Sequence, residues 1–116
     1  MAVGRIGGKW QHSVMLELRP ICENCTKPLP PYAADAMICS FECTFCEACV
    51  VDLLHNVCPN CGGGFERRPV RPATDLKGGN DTTHYPPSQS VRHRPVDTAA
   101  HAVFARDLAL IEAGKR

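Results

Sequence analysis

The sequence predicts a small metal-stabilised α+β domain, followed by a disordered proline-rich linker and a C-terminal amphipathic helix. All eight cysteines fall between Cys22 and Cys61, amid short apolar runs suited to brief strands and one helix. A polar, proline-rich stretch then separates this block from a second helical stripe. A chain of 116 residues holds one small domain with tails. Four Phe, two Tyr and one Trp leave that domain little apolar bulk. Such a core barely offsets chain entropy, so a staple is expected, and the cysteine window locates it.

Taken in order, residues 1–14 are Gly-rich and aperiodic and read as a flexible extension, with Met1 or Met15 as the initiator. The compact domain is expected over residues 15–72. Leu16 and Leu18 alternate with Glu17 and Arg19, which predicts a short strand ended by Pro20. Pro28, Pro30 and Pro31 make a stiff loop, and Met37 and Ile38 suggest a second strand. Glu47 to His55 is the best helix of the domain. Val50, Leu53 and Leu54 share a face, Glu47 suits the first turn and His55 the last, and Pro59 prevents continuation. Phe65 to Arg68 reads as a closing strand.

Residues 69–96 carry Pro69, Pro72, Pro86, Pro87 and Pro95 among many polar residues, so 73–96 reads as the disordered linker. Residues 97–113 form the amphipathic helix. Asp97 or Thr98 caps it, Ala100, Val103, Phe104, Leu108 and Ile111 make its stripe, and Gly114 stops it. An isolated helix of this length is marginal in water, so the stripe needs a contact. Self-association or binding to a protein partner is the expected use, with docking on its own domain optional.

The N-terminal stretch has neither a continuous apolar run nor a small-residue cleavage site, and no segment approaches a membrane span. A cytoplasmic, reducing location is expected, where closely spaced cysteines read as metal ligands and not as disulfides. The net charge of +1 divides into −2 over residues 1–65 and +3 over residues 66–116, too little to announce nucleic-acid binding.

The cysteines follow the pattern C-x2-C-x13-C-x3-C-x2-C-x2-C-x8-C-x2-C. Two intervening residues let a tight turn aim both sulfurs at one ion. Closed tetrahedral four-thiolate sites are structural zinc sites, so Cys22, Cys25, Cys39, Cys43, Cys46, Cys49, Cys58 and Cys61 make two complete sets for two zinc ions. Cys46 and Cys49 open the 47–55 helix. A turn-borne pair joined to a pair in a helix's first turn is the treble-clef arrangement. It places Cys22, Cys25, Cys46 and Cys49 on one ion and Cys39, Cys43, Cys58 and Cys61 on the other. The alternative is a sequential pairing, Cys22/Cys25/Cys39/Cys43 with Cys46/Cys49/Cys58/Cys61, since spacing alone does not fix the choice.

The run Cys39-Ser-Phe-Glu-Cys43-Thr-Phe-Cys46-Glu-Ala-Cys49, then Cys58-Pro-Asn-Cys61, resembles the cross-braced RING finger. Cys43 stands where that family usually has histidine. Phe45 matches its aromatic before the fifth ligand, and Pro59 its C-P-x-C proline. More closely, MLELRP…CENC…ICSFECTFCEAC…CPNCGG resembles a family of short bacterial proteins known only as a domain of unknown function. That resemblance covers residues 15–72. It implies the fold and the metal and supplies no activity.

The main expectation is therefore a non-enzymatic zinc-binding module that mediates protein contacts. The alternative is a nucleic-acid-binding zinc finger using Arg67, Arg68 and Arg71, although no aromatic residue interleaves with them. RING ubiquitin ligases place an apolar residue before the second ligand and often an arginine after the eighth. Asn24 and Gly62 stand there, and Val50, Leu53 and Pro59 read as core, so ligase activity is a weaker option. Thiol-redox chemistry is weaker too, because a closed thiolate site has no open position. Iron suits four cysteines as well as zinc does and stays a minority option. His55 reads as a polar helix end, and His12, His84, His93 and His101 share no ligand spacing.

Overall fold

The computed structural model describes residues 15–116, so the expected 1–14 extension and His12 lie outside the described residues. Three short strands form one sheet: β1 (Ala36–Ile38), β2 (Thr44–Cys46) and β3 (Glu66–Arg67). Their order is β2-β1-β3, antiparallel throughout, with Met37 opposite Phe45 on one side and Arg67 on the other. The strand expected at residues 37–38 is thus central, and the closing strand expected at 65–68 is its outer neighbour. Phe45 and Phe65 meet edge to face at 5.5 Å. With Leu18, Leu29, Val50, Leu54 and Val57 they make the small buried core.

The segment at Leu16–Leu18 forms no strand. Leu18 is buried, but the backbone partners of this segment come from outside any sheet. Ser88 N–H donates to Leu18 O (2.9 Å), Arg71 donates to Leu16 O (2.9 Å), and Glu17 N–H donates to the Glu42 carboxylate (2.8 Å). Alternation there buries a side chain without supplying a neighbouring strand.

Helix α1 is α-helical over Glu47–Cys49 and continues as a π-helical turn over Val50–Leu54. It ends where His55 and Asn56 take left-handed φ of 52° and 59°. His55 N–H donates to Val50 O across the widened turn. The widening aligns Val50 with Leu54, both buried, and turns Leu53 outward, so the apolar face is narrower than expected.

Residues 73–96 contain no helix or strand, as their prolines predict, but they lie along the domain as a strap, where composition suggested disorder. Thr82 N–H donates to Pro72 O (2.9 Å), the Ser88 hydroxyl donates to Glu17 (2.7 Å), and Arg94 N–H donates to Glu23 O (2.8 Å). The strap satisfies backbone and carboxylate groups that the small sheet leaves unpaired.

Helix α2 spans Thr98–Leu108, with the Asp97 side chain accepting from Ala100 N–H (3.1 Å). It stops short of Gly114. Leu110 and Ile111 close a tight turn on Asp107 and Leu108, and a 3-10 turn follows at Ala113–Lys115. The helix packs on the π-turn of its own chain. His101 and Ala105 are its buried residues, Leu108 is half-buried, and Val103 and Ile111 are exposed. The docked face lies one position off the expected stripe because the His101 ring reaches Leu54 O (3.0 Å), which fixes the helix's rotation. Intramolecular docking, treated above as optional, is what the chain forms.

Candidate metal centre

Three of the cysteine pairs sit in turns and the fourth at a helix start. In the first, Ile21 bridges Pro28, Cys22 N–H donates to Lys27 O, and Thr26 N–H donates to Cys22 O. Thr26 closes it at φ 65°. In the β1–β2 hairpin, Cys39 N–H donates to Cys43 O (3.2 Å), so that pair flanks the loop. In the last, Gly62 N–H returns to Cys58 O (2.8 Å) with φ 82°, a backbone conformation suited to glycine. Cys46 caps α1 and Cys49 lies within it.

These turns bring Cys22, Cys25, Cys46 and Cys49 together, with all four sulfurs within 4.8 Å of one another. Cys22 and Cys49 sulfurs are 3.8 Å apart, and Cys25 and Cys46 sulfurs 3.7 Å apart. Tetrahedral zinc with bonds of ~2.3 Å has sulfur–sulfur edges of ~3.8 Å, whereas a disulfide requires ~2.05 Å. The donor set fits a thiolate-bound metal. Cys39, Cys43 and Cys58 form a second cluster by the same measure. The seven clustered cysteines thus group in the interleaved order and not the sequential one.

Cys61, expected as the fourth member of the second set, does not join that cluster. It is exposed, and its sulfur accepts the Gly63 N–H (3.4 Å) at the outer end of the turn. The other knuckle sulfurs are similarly served: Cys22 by Cys25 N–H (3.5 Å), Cys39 by Phe41 N–H (3.3 Å) and Cys58 by Asn60 N–H (3.4 Å).

Burial pushes the Cys43, Cys46, Cys49 and Cys58 thiols up, and neighbouring cysteines push them further. Cys25 moves the other way. Its partial burial is outweighed by the Lys27 N–H and by the surrounding cysteine sulfurs. A metal ion coordinated there would draw these thiols into the thiolate form and offset their mutual repulsion.

Between Cys22 and Cys25 lies Glu23, to which the sequence pattern assigned no role. Glu23 is fully buried. Its carboxylate accepts from Thr44 N–H (2.9 Å), Arg19 (3.1 Å), Arg94 (3.1 Å) and Asn60 (3.4 Å). It thereby joins the first knuckle, the sheet, the last knuckle and the strap. The only signal in the sequence is a charged residue enclosed in a knuckle.

The basic cluster is not one surface. Arg68 is buried and donates to Arg19 O (2.9 Å), Leu29 O (3.0 Å) and Pro30 O (2.9 Å). Arg71 donates to Tyr85 O and Leu16 O, each at 2.9 Å. Arg67 pairs with Glu47 (3.0 Å) and the Ala34 carbonyl. A third grouping, Asp75, Asp81 and His84, is a self-satisfied turn. His84 Nδ1 lies 3.0 and 3.1 Å from the Asp81 oxygens, and Asp75 accepts Gly79 N–H (2.8 Å).

Fold and site together define a small α+β protein with a three-stranded sheet, two helices and two cysteine clusters able to hold metal. The chain belongs to the DUF1272 family of proteins of unknown function, which matches residues 15–71. It is 62% identical over 63 residues to an uncharacterized protein of Rhizobium meliloti (strain 1021), covering 54% of this chain and 75% of the relative. No solved structure matches. Among the described residues no helix is long and apolar enough to cross a membrane.

Proposed function

We propose that this chain is a non-enzymatic zinc-binding module of RING-like, treble-clef type that mediates protein contacts. The observation that carries the reading is the first quartet, with sulfur–sulfur separations of 3.7 and 3.8 Å, interleaved in sequence with the second cluster. Cys61 completes the second set in this reading, because it shares a knuckle with Cys58 and both sulfurs accept backbone N–H groups as ligand thiolates do. Zinc in such sites organises the fold and leaves no open coordination position for chemistry. The features that serve a RING ligase have other uses here. Asn24 spends its amide on Cys49 and Val96, and Gly62 faces Phe104. X-ray absorption of the loaded protein tests the metal part, with a sulfur-only shell at ~2.3 Å expected. Nitrogen or oxygen ligands in that shell would refute it. Titration with nucleic acid at varied salt tests the rest: a steep salt-dependent affinity would replace protein contact with nucleic-acid binding.

A further inference from the structure

Asn24 ties α2 to the first cysteine quartet. It lies between Cys22 and Cys25 in sequence. Its side-chain NH2 donates to Cys49 Sγ (3.3 Å), and its side-chain carbonyl accepts from Val96 N–H (2.9 Å). Val96 immediately precedes the helix cap Asp97. Reversing the amide would set a carbonyl against sulfur and an NH2 against an N–H, so the two partners together fix its orientation. Glu23, also inside that knuckle, holds Arg94 through its backbone carbonyl (2.8 Å) and its carboxylate (3.1 Å). Arg94 and Val96, just ahead of Asp97, are thus seated on the two residues enclosed by the first cysteine pair. Beyond them the helix has the His101 contact to Leu54 O (3.0 Å) and the buried Ala105.

We propose that Asn24 couples metal occupancy of the first quartet to docking of α2, so that the C-terminal helix reports whether this centre is filled. The proposal rests on the metal reading given above. A metal-bound thiolate accepts a charge-assisted N–H bond, which orients the amide and aims its carbonyl at Val96. When the ion leaves, nothing holds the four sulfurs at tetrahedral spacing, and the amide loses both its anchor and its aim. Release of the helix then uncovers the π-turn around Leu54 and the Gly62 loop, which Phe104 and Leu108 now face. The chain thereby carries a metal-dependent cover over its own surface.

Coupling of two binding events is reciprocal: whatever factor metal binding adds to helix docking, docking adds to metal affinity. Val96→Pro deletes the N–H that Asn24 accepts without replacing a cysteine, and Val96→Ala keeps that N–H while trimming a side chain packed against the core. The test loads the full chain with cadmium-113. It then follows, in one sample, chelator-driven loss of each cadmium resonance and amide exchange over residues 98–108. Loss of one hydrogen bond predicts up to about five-fold weaker cadmium retention against chelator at the Cys22/Cys25/Cys46/Cys49 centre, together with a rise in helix exchange. Val96→Ala, which controls for that packing, should change both readouts less than Val96→Pro. Asn24→Ala, a second variant that removes both bonds at once, should move both readouts together. Faster helix exchange with unchanged cadmium release would make Asn24 a simple clip and overturn the proposal. Absence of a cadmium resonance coupled to those four cysteines would overturn the metal reading as well, so the two failures are distinguishable.

Discussion

Replacing Glu23 with alanine removes a carboxylate that four donors share in the interior: Thr44 N–H, Arg19, Arg94 and Asn60. The magnitude follows from what each donor has left. Thr44 is fully buried and its N–H loses its acceptor, which costs about 1–3 kcal/mol. Arg19 is 7% exposed but keeps Glu17 at 3.0 Å, so its charge stays paired and the loss falls below the ~3–5 kcal/mol of a fully broken buried pair. Arg94, half-exposed, returns to water at a cost of up to ~1 kcal/mol. The sum is about 2–4 kcal/mol. Urea unfolding of the loaded chain at fixed free zinc should show a midpoint lower by about 1 M or more at unchanged slope. A Glu23→Ala protein within ~0.5 kcal/mol of wild type would refute the view that this carboxylate joins the two knuckles to the sheet and strap, since such a shift is typical of an unimportant surface site.

Arg68→Lys keeps the charge and loses the fork that serves three carbonyls, so it should destabilise by about 2–3 kcal/mol in thermal unfolding. Thr26→Gly should stabilise by up to ~1 kcal/mol, because a β-branched residue at φ 65° is strained where the matching turn uses Gly62. The His84 backbone N–H, aided by its ring, holds the Asp81 carboxyl below the usual carboxylate range. A depressed folded value stabilises above the unfolded value of ~3.9 and is lost as pH falls through the folded one. Amide protection at Thr82 and Tyr85 should therefore fade in acid below about pH 4, and Asp81→Asn should remove that dependence.

The cysteine pattern made the interleaved grouping legible, because Cys46 and Cys49 could be placed at a helix start from the Val50 and Leu54 pattern. The residue pair at Met37 and Ile38 and the run from Phe65 likewise showed their strands. Leu16 and Leu18 misled because alternation reports which face is buried and not which backbone lies alongside. The strap misled for a related reason. Its composition is that of a disordered segment, and what orders it is particular: Arg94 on Glu23, Ser88 on Glu17 and Leu18, Val96 on Asn24. Such pairings join residues about 70 positions apart and leave no periodic trace. The docked face of α2 keeps Phe104 and Leu108 from the expected stripe but takes His101 and Ala105 in place of Ala100, Val103 and Ile111, because one ring nitrogen found a carbonyl at the end of a π-turn, which sequence periodicity does not announce.

In the proposed reading the eight cysteines hold two metal ions. Native mass spectrometry of the full chain, purified under reducing conditions and paired with elemental analysis, measures this directly. The expected result is a single dominant species carrying two zinc ions. One ion per chain would show that Cys39, Cys43 and Cys58 do not recruit Cys61 into a second site, and a metal-free folded chain would contradict the account altogether.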